Sequence, residues 1–106
     1  MGALTAETAS LREAISAHRE QFNAVLERYG ASNPRLFGSV ARGDATATSD
    51  IDLLVDLHPG VRNSLLQISG IAEELSNILG AQVDVVTQDL LRDQVSATVR
   101  ADAIPL

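Results

Sequence analysis

The sequence predicts an α/β fold with a small sheet of about three strands. Two observations carry this. Stretches with apolar residues at three- and four-residue steps alternate along the chain with short, β-prone apolar runs. Glycine, proline and asparagine stand between these stretches as turn signals. Helical and strand patterns that alternate in this way define the α/β class.

Taken in order, residues ~5–29 read as a helix, because Leu11, Ile15, Phe22, Val25, Leu26 and Tyr29 recur at helical steps and Gly30 follows as a stop. Asn33-Pro34 precedes a short strand at Arg35–Phe37, which ends in a tight Gly38-Ser39 turn. A polar connection rich in Ala, Thr and Ser leads to the run DIDLLVDL, a strand at about 50–57 that His58-Pro59-Gly60 ends. Residues 61–63 form a loop. Ser64 is the expected N-cap of a second long helix, with Leu65, Ile68, Ile71, Ala72, Leu75, Ile78 and Leu79 inward and Gly80 as its stop. Val83–Thr87 is the next strand. Residues ~89–102 are expected to form a last helix on Leu90, Leu91, Val95 and Val99, with Pro105 beyond it. No repeat or linker interrupts the pattern, so residues 1–106 are expected to make one domain.

Composition narrows the class. At 106 residues the chain is long enough to bury roughly 65% of its unfolded surface. Aromatics are only 3% against 45% apolar residues, so the core must be aliphatic. Cysteine is absent, which excludes disulfides and thiolate metal sites. No run approaches the ~20 apolar residues of a membrane span, and the first twenty residues are not signal-like, so a cytoplasmic protein is expected. Net charge is −6, and the eight basic residues, all arginine, are scattered. The basic footprint of a nucleic-acid binder is missing, and an acidic surface favours a basic partner.

The chemistry concentrates at Gly38-Ser39 and Asp50-Ile51-Asp52. Alternation along a strand points Asp50 and Asp52 the same way. Like charges that close repel unless a cation lies between them, and a hard divalent ion completed by substrate phosphates is the usual solution. Gly38 lacks a Cβ and lets a phosphate approach the backbone, while Ser39 supplies a hydroxyl and an amide. Arg42 offers a cation in the following turn. Asp84 interrupts the later apolar strand between Val83 and Val85, where simple solvation is not expected and a partner is needed. Together these residues read as a metal-nucleotide site.

The segment LFGSVARGDATATSDIDLLVDL resembles the signature of the minimal nucleotidyltransferases of the polymerase-β superfamily, and the later VDVV is similar to the strand that bears their third aspartate. The resemblance spans nearly the whole chain and has no departure at Gly38, Ser39, Asp50, Asp52 or Asp84. It implies a small mixed sheet with helices packed on one face. It also implies two Mg²⁺ ions held by Asp50, Asp52 and Asp84, with ATP as substrate and its β- and γ-phosphates at Gly38 and Ser39; apart from the resemblance, Arg42 is a candidate to neutralise phosphate charge or contact a partner. Small stand-alone members usually act as antitoxins to a HEPN-domain ribonuclease, and some transfer AMP to a tyrosine of that toxin. The resemblance thus implies an antitoxin adenylyltransferase with a HEPN toxin as partner. A non-catalytic antitoxin that occludes its toxin, and a small-molecule nucleotidyltransferase, are the alternatives.

Other polar residues have plainer readings. Asp56 shares a strand face with Asp50 and Asp52 but lies further along it. Arg42 has a structural alternative as a turn cap on Asp44. His18 and His58 are expected to pack or be incidental, and Tyr29 belongs to the first helix's apolar stripe.

Overall fold

The structure is a computed structural model that describes residues 4–60, 63–87 and 103–106. Its first helix, α1 (Ala6–Ala17), starts at Thr5, whose hydroxyl accepts the Thr8 amide at 3.1 Å. The sequence pattern suggests one helix to residue 29, but the chain breaks at His18. That residue ends α1 and also precedes α2 (Arg19–Arg28). Its backbone leaves the helical region, and both its amide and its Nδ1 donate to the Ala14 carbonyl, at 3.1 and 2.9 Å. A side chain that enters the hydrogen-bond ladder in this way is a recognised cause of a kink.

Strand β1 (Ala31–Phe37) pairs antiparallel with β2 (Ile51–Leu57), from Ala31 opposite Leu57 to Phe37 opposite Asp52. It is longer than the Arg35–Phe37 expected. Asn33-Pro34 does not stop the strand. The pairing shifts register between Ser32 and Arg35, with Asn33 at φ 53°, so the turn-prone pair is absorbed as a bulge. The short helix α3 (Gly38–Arg42) follows, where only a tight turn was expected. Beyond β2, α4 (Ser64–Leu79) crosses back to β3 (Val83–Val86), which pairs parallel with β2. Residues Ile104–Pro105 form β4, antiparallel to β1. The sheet order is β3-β2-β1-β4. It is mixed, as expected, with four strands rather than about three. Proline at the outer strand removes no ladder bond that a further neighbour needs, which is how Pro105 takes part. The helix expected at ~89–102 lies outside the described residues.

One face of the sheet carries the core. Ile51, Leu53 and Val55 of β2 are fully buried there with Ile15, Phe22, Val25, Ile71 and Leu75. Each such side chain contributes about 1.5–3 kcal/mol of transfer free energy. On α4, Ile68, Ile71, Leu75 and Leu79 form the buried stripe. Leu65 was expected to join them but is 63% exposed, as is its neighbour Leu66 at 66%. The first turn of α4 lies outside the packed stripe. Its cap is Asn63, not Ser64: the Asn63 side chain accepts the Leu66 amide at 3.0 Å. Tyr29 lies over Gly70, where an added Cβ would fall 2.5 Å from the ring, and its hydroxyl donates to Glu74. Arg28 also donates to Glu74, at 2.7 Å, so the end of α2 is tied to the middle of α4. Among the described residues no helix is long and apolar enough to cross a membrane.

Candidate active site

The candidate residues gather where β1 ends and β2 begins, because antiparallel pairing brings Phe37 opposite Asp52. Gly38 takes over from an extended Phe37 and turns the chain into α3 with φ +71°. A Cβ at Gly38 would lie 2.3 Å from Asp52 Oδ2. Glycine is therefore needed twice, for the positive φ and for the close approach of the Asp52 carboxylate. Ser39 is half-buried, and its carbonyl accepts the amides of Gly43 at 2.9 Å and Asp44 at 3.1 Å.

Asp52 stands on the sheet face away from the helices, in Cα register with Asp84 of the parallel neighbour β3. Asp50 immediately precedes the strand. Burial, then the charges of Asp84 and Asp50, push the Asp52 carboxyl up to about 6, and Arg42 opposes them. Arg42 therefore acts electrostatically on the site, although it is exposed and also meets Asp44 at 3.4 Å. Asp84 corrects an expectation: it is exposed, not hemmed in by its valines. Val83 and Val85 point to the helix side, so the aspartate between them faces out.

Among the described residues, no three acidic or imidazole side chains close tightly enough to hold an ion by themselves. The donor chemistry still fits Mg²⁺. Its oxygen ligands are typically one or two carboxylates, completed by waters and substrate phosphates. The charges of Asp84 and Asp50, which add to burial in raising the Asp52 carboxyl, are an excess of negative charge that such an ion would relieve.

Asp56, two residues beyond Leu54 on the same face, is not part of this group. Arg35 donates to it at 2.8 Å and Asn33 at 3.0 Å, and these bonds hold its carboxyl below the usual range, chiefly the one from Asn33. An open cleft of about 690 Å³ borders the site at Asp50 and runs between Glu7 and Ser10 of α1, Thr48, Ser49 and Gln82. Arg12 was missed at the level of sequence. It donates to the Val40 and Ala41 carbonyls of α3, and its place four residues from Thr8 and three from Ile15 was the available signal.

Similarity to known proteins extends over most of the chain. Residues 18–105 match the family described as the nucleotidyltransferase domain. Protein adenylyltransferase MntA of Thermococcus cleftensis is 33% identical over 98% of each chain. A Methanocaldococcus jannaschii protein, provisionally designated a protein adenylyltransferase, is 39% identical over 76% of this chain and 89% of its own. A solved chain, provisionally identified as a minimal nucleotidyltransferase, superposes with a TM-score of 0.73 at 39% identity, covering 89% of this chain and 94% of the other. The chain belongs to the nucleotidyltransferase family, among its minimal members.

Proposed function

We propose that this chain is an antitoxin-type protein adenylyltransferase of the cytoplasm. It moves AMP from ATP to a hydroxyl, on a tyrosine, of a HEPN-domain ribonuclease toxin and so silences it. The observation that carries the reading is the Gly38 turn held against Asp52, with Asp84 in register beside it. The designation of the MntA relative, similar over 98% of each chain, supports protein as the acceptor.

Each residue then has a task. Gly38 admits the triphosphate to the backbone, and the Ser39 amide and hydroxyl donate to its β- and γ-phosphate oxygens. Arg42 adds positive charge beside Asp52. Asp50, Asp52 and Asp84 would hold Mg²⁺, which supplies neutralisation of the triphosphate and of the oxygens entering and leaving phosphorus. Asp84, exposed at the edge of the group, takes the proton of the acceptor hydroxyl and passes it to water. The acceptor oxygen bonds to the α-phosphorus, the bond to the bridging oxygen breaks, and pyrophosphate leaves.

A second reading, neutralisation by occlusion alone, draws on exposed Leu65 and Leu66. One experiment separates the two. The protein is incubated with its toxin, ATP and Mg²⁺, and the toxin is then isolated and weighed by intact-mass spectrometry. The enzyme reading expects a toxin that carries AMP and stays silent after separation, and no adduct from Asp50→Asn. An unmodified toxin that regains ribonuclease activity on separation leaves occlusion.

A further inference from the structure

Thr5, Thr8 and Arg12 are spaced by three and four residues, so they share one side of the start of α1. All three hold the main chain of residues 40–45. Arg12 Nε and Nη2 donate to the Val40 carbonyl at 3.1 and 2.8 Å, and Nη2 donates to the Ala41 carbonyl at 2.9 Å. The Thr8 hydroxyl, fully buried, accepts the Ala45 amide at 2.9 Å. Thr5 donates through its hydroxyl to the Ala45 carbonyl at 2.7 Å and through its amide to the Gly43 carbonyl at 3.1 Å.

The segment held in this way needs it. With five residues, α3 is too short to sustain itself, and its last carbonyls have no partner within the helix. Arginine suits the task because its rigid fork spans two carbonyls and its charge opposes the negative helix end. Ser39 ties this end to the site, since its carbonyl accepts the amides of Gly43 and Asp44. A shift at residues 40–45 therefore reaches the Gly38-Ser39 turn directly.

We propose that Arg12 is a positioning residue for the nucleotide: through α3 it holds the Gly38-Ser39 turn in the pose that receives the outer phosphates. This rests on the nucleotidyltransferase reading above. Two measurements on the full chain test it. Arg12→Gln is expected to weaken Mg²⁺·ATP roughly tenfold, the scale of losing one charged hydrogen bond, while AMP, which lacks the outer phosphates, changes by less than about twofold. Arg12→Lys keeps the charge without the fork and falls between.

Amide hydrogen exchange at Gly43 and Asp44 is expected to quicken about tenfold or more in Arg12→Gln, while the buried middle of α4 is unchanged. Arg28→Gln, at the α2–α4 tie, should alter neither readout. Equal weakening of ATP and AMP with accelerated exchange throughout would reduce Arg12 to a structural role and overturn the proposal. Wild-type ATP affinity and wild-type exchange in Arg12→Gln would overturn it as well. A wild-type protein that binds no Mg²⁺·ATP is a different failure: it removes the nucleotide reading itself, and the role of Arg12 with it.

Discussion

The two faces of β2 are made of alternate residues of one seven-residue strand, yet they do opposite things. Ile51, Leu53 and Val55 point into the helices and are fully buried. Asp52, Leu54 and Asp56 point the other way, and only Leu54 among them is buried, at 2%, outside the main core. The first face lowers the free energy of the fold by removing aliphatic surface from water. At Asp52 the second does the reverse, because a half-buried carboxylate is held beside two others and its ionised form is disfavoured. A period of two lets one strand present a buried aliphatic face and a carboxylate-bearing face.

The largest effects should separate along that division. Asp52→Asn is expected to lower AMP transfer by about a hundredfold to a thousandfold or more, the scale of removing one preorganised electrostatic group, with the melting temperature preserved or slightly raised. Leu53→Ala should instead destabilise the fold by about 2–5 kcal/mol, while the molecules that remain folded retain transfer. Calorimetric melting and a transfer assay on both variants check this. An Asp52→Asn protein with near wild-type transfer would break the comparison.

Two glycines sharpen it at smaller magnitude. Gly38→Ala meets Asp52 in a backbone conformation that costs an L-residue about 1–2 kcal/mol, so stability and transfer should both fall. Gly70→Ala meets the Tyr29 ring on the helix side and should cost about 1–3 kcal/mol by overpacking, with the nucleotide affinity of the folded protein unchanged. Denaturant melts paired with ATP titrations distinguish the two.

The smallest effect is electrostatic. The native state raises the Asp52 carboxyl to about 6 from 3.8, so it binds this proton more tightly than the unfolded chain does. Without metal, the contribution is fully present below pH ~4 and lost as pH rises through 6. The amide that replaces the carboxyl in Asp52→Asn does not titrate. In chelator, that variant should therefore gain about 1 kcal/mol relative to wild type between pH 4 and pH 7, a figure kept small because the group is half-exposed and screened. Urea melts at the two pH values measure it.

Much of this was readable before the structure. The aliphatic stripes of α2 and α4 and the β2 run announce themselves by period, and Gly38, Asp50 and Asp52 lie within a short local span. What was hidden depends on contacts between distant segments or on local competition. Asn33-Pro34 reads as a stop, but pairing with β2 absorbs it as a bulge. Asn63 competed with Ser64 for the same cap and won. Ile104-Pro105 becomes a strand only because β1 offers it an edge. Asp84 reads from its valine neighbours as poorly placed for solvation, whereas alternation turns it outward and exposes it. Arg12 reveals its task only once residues 40 and 41 lie beside it.

The claim that the outward face of β2 and the Gly38 turn form a metal-nucleotide site is tested most directly by calorimetric titration of ATP with Mg²⁺ and with excess chelator. Carboxylates that depend on substrate phosphates to complete the ion should bind ATP at least about tenfold more tightly with Mg²⁺, a difference of ~1.4 kcal/mol, and Asp52→Asn should erase most of that gain. Equal affinity in the two buffers would contradict the account.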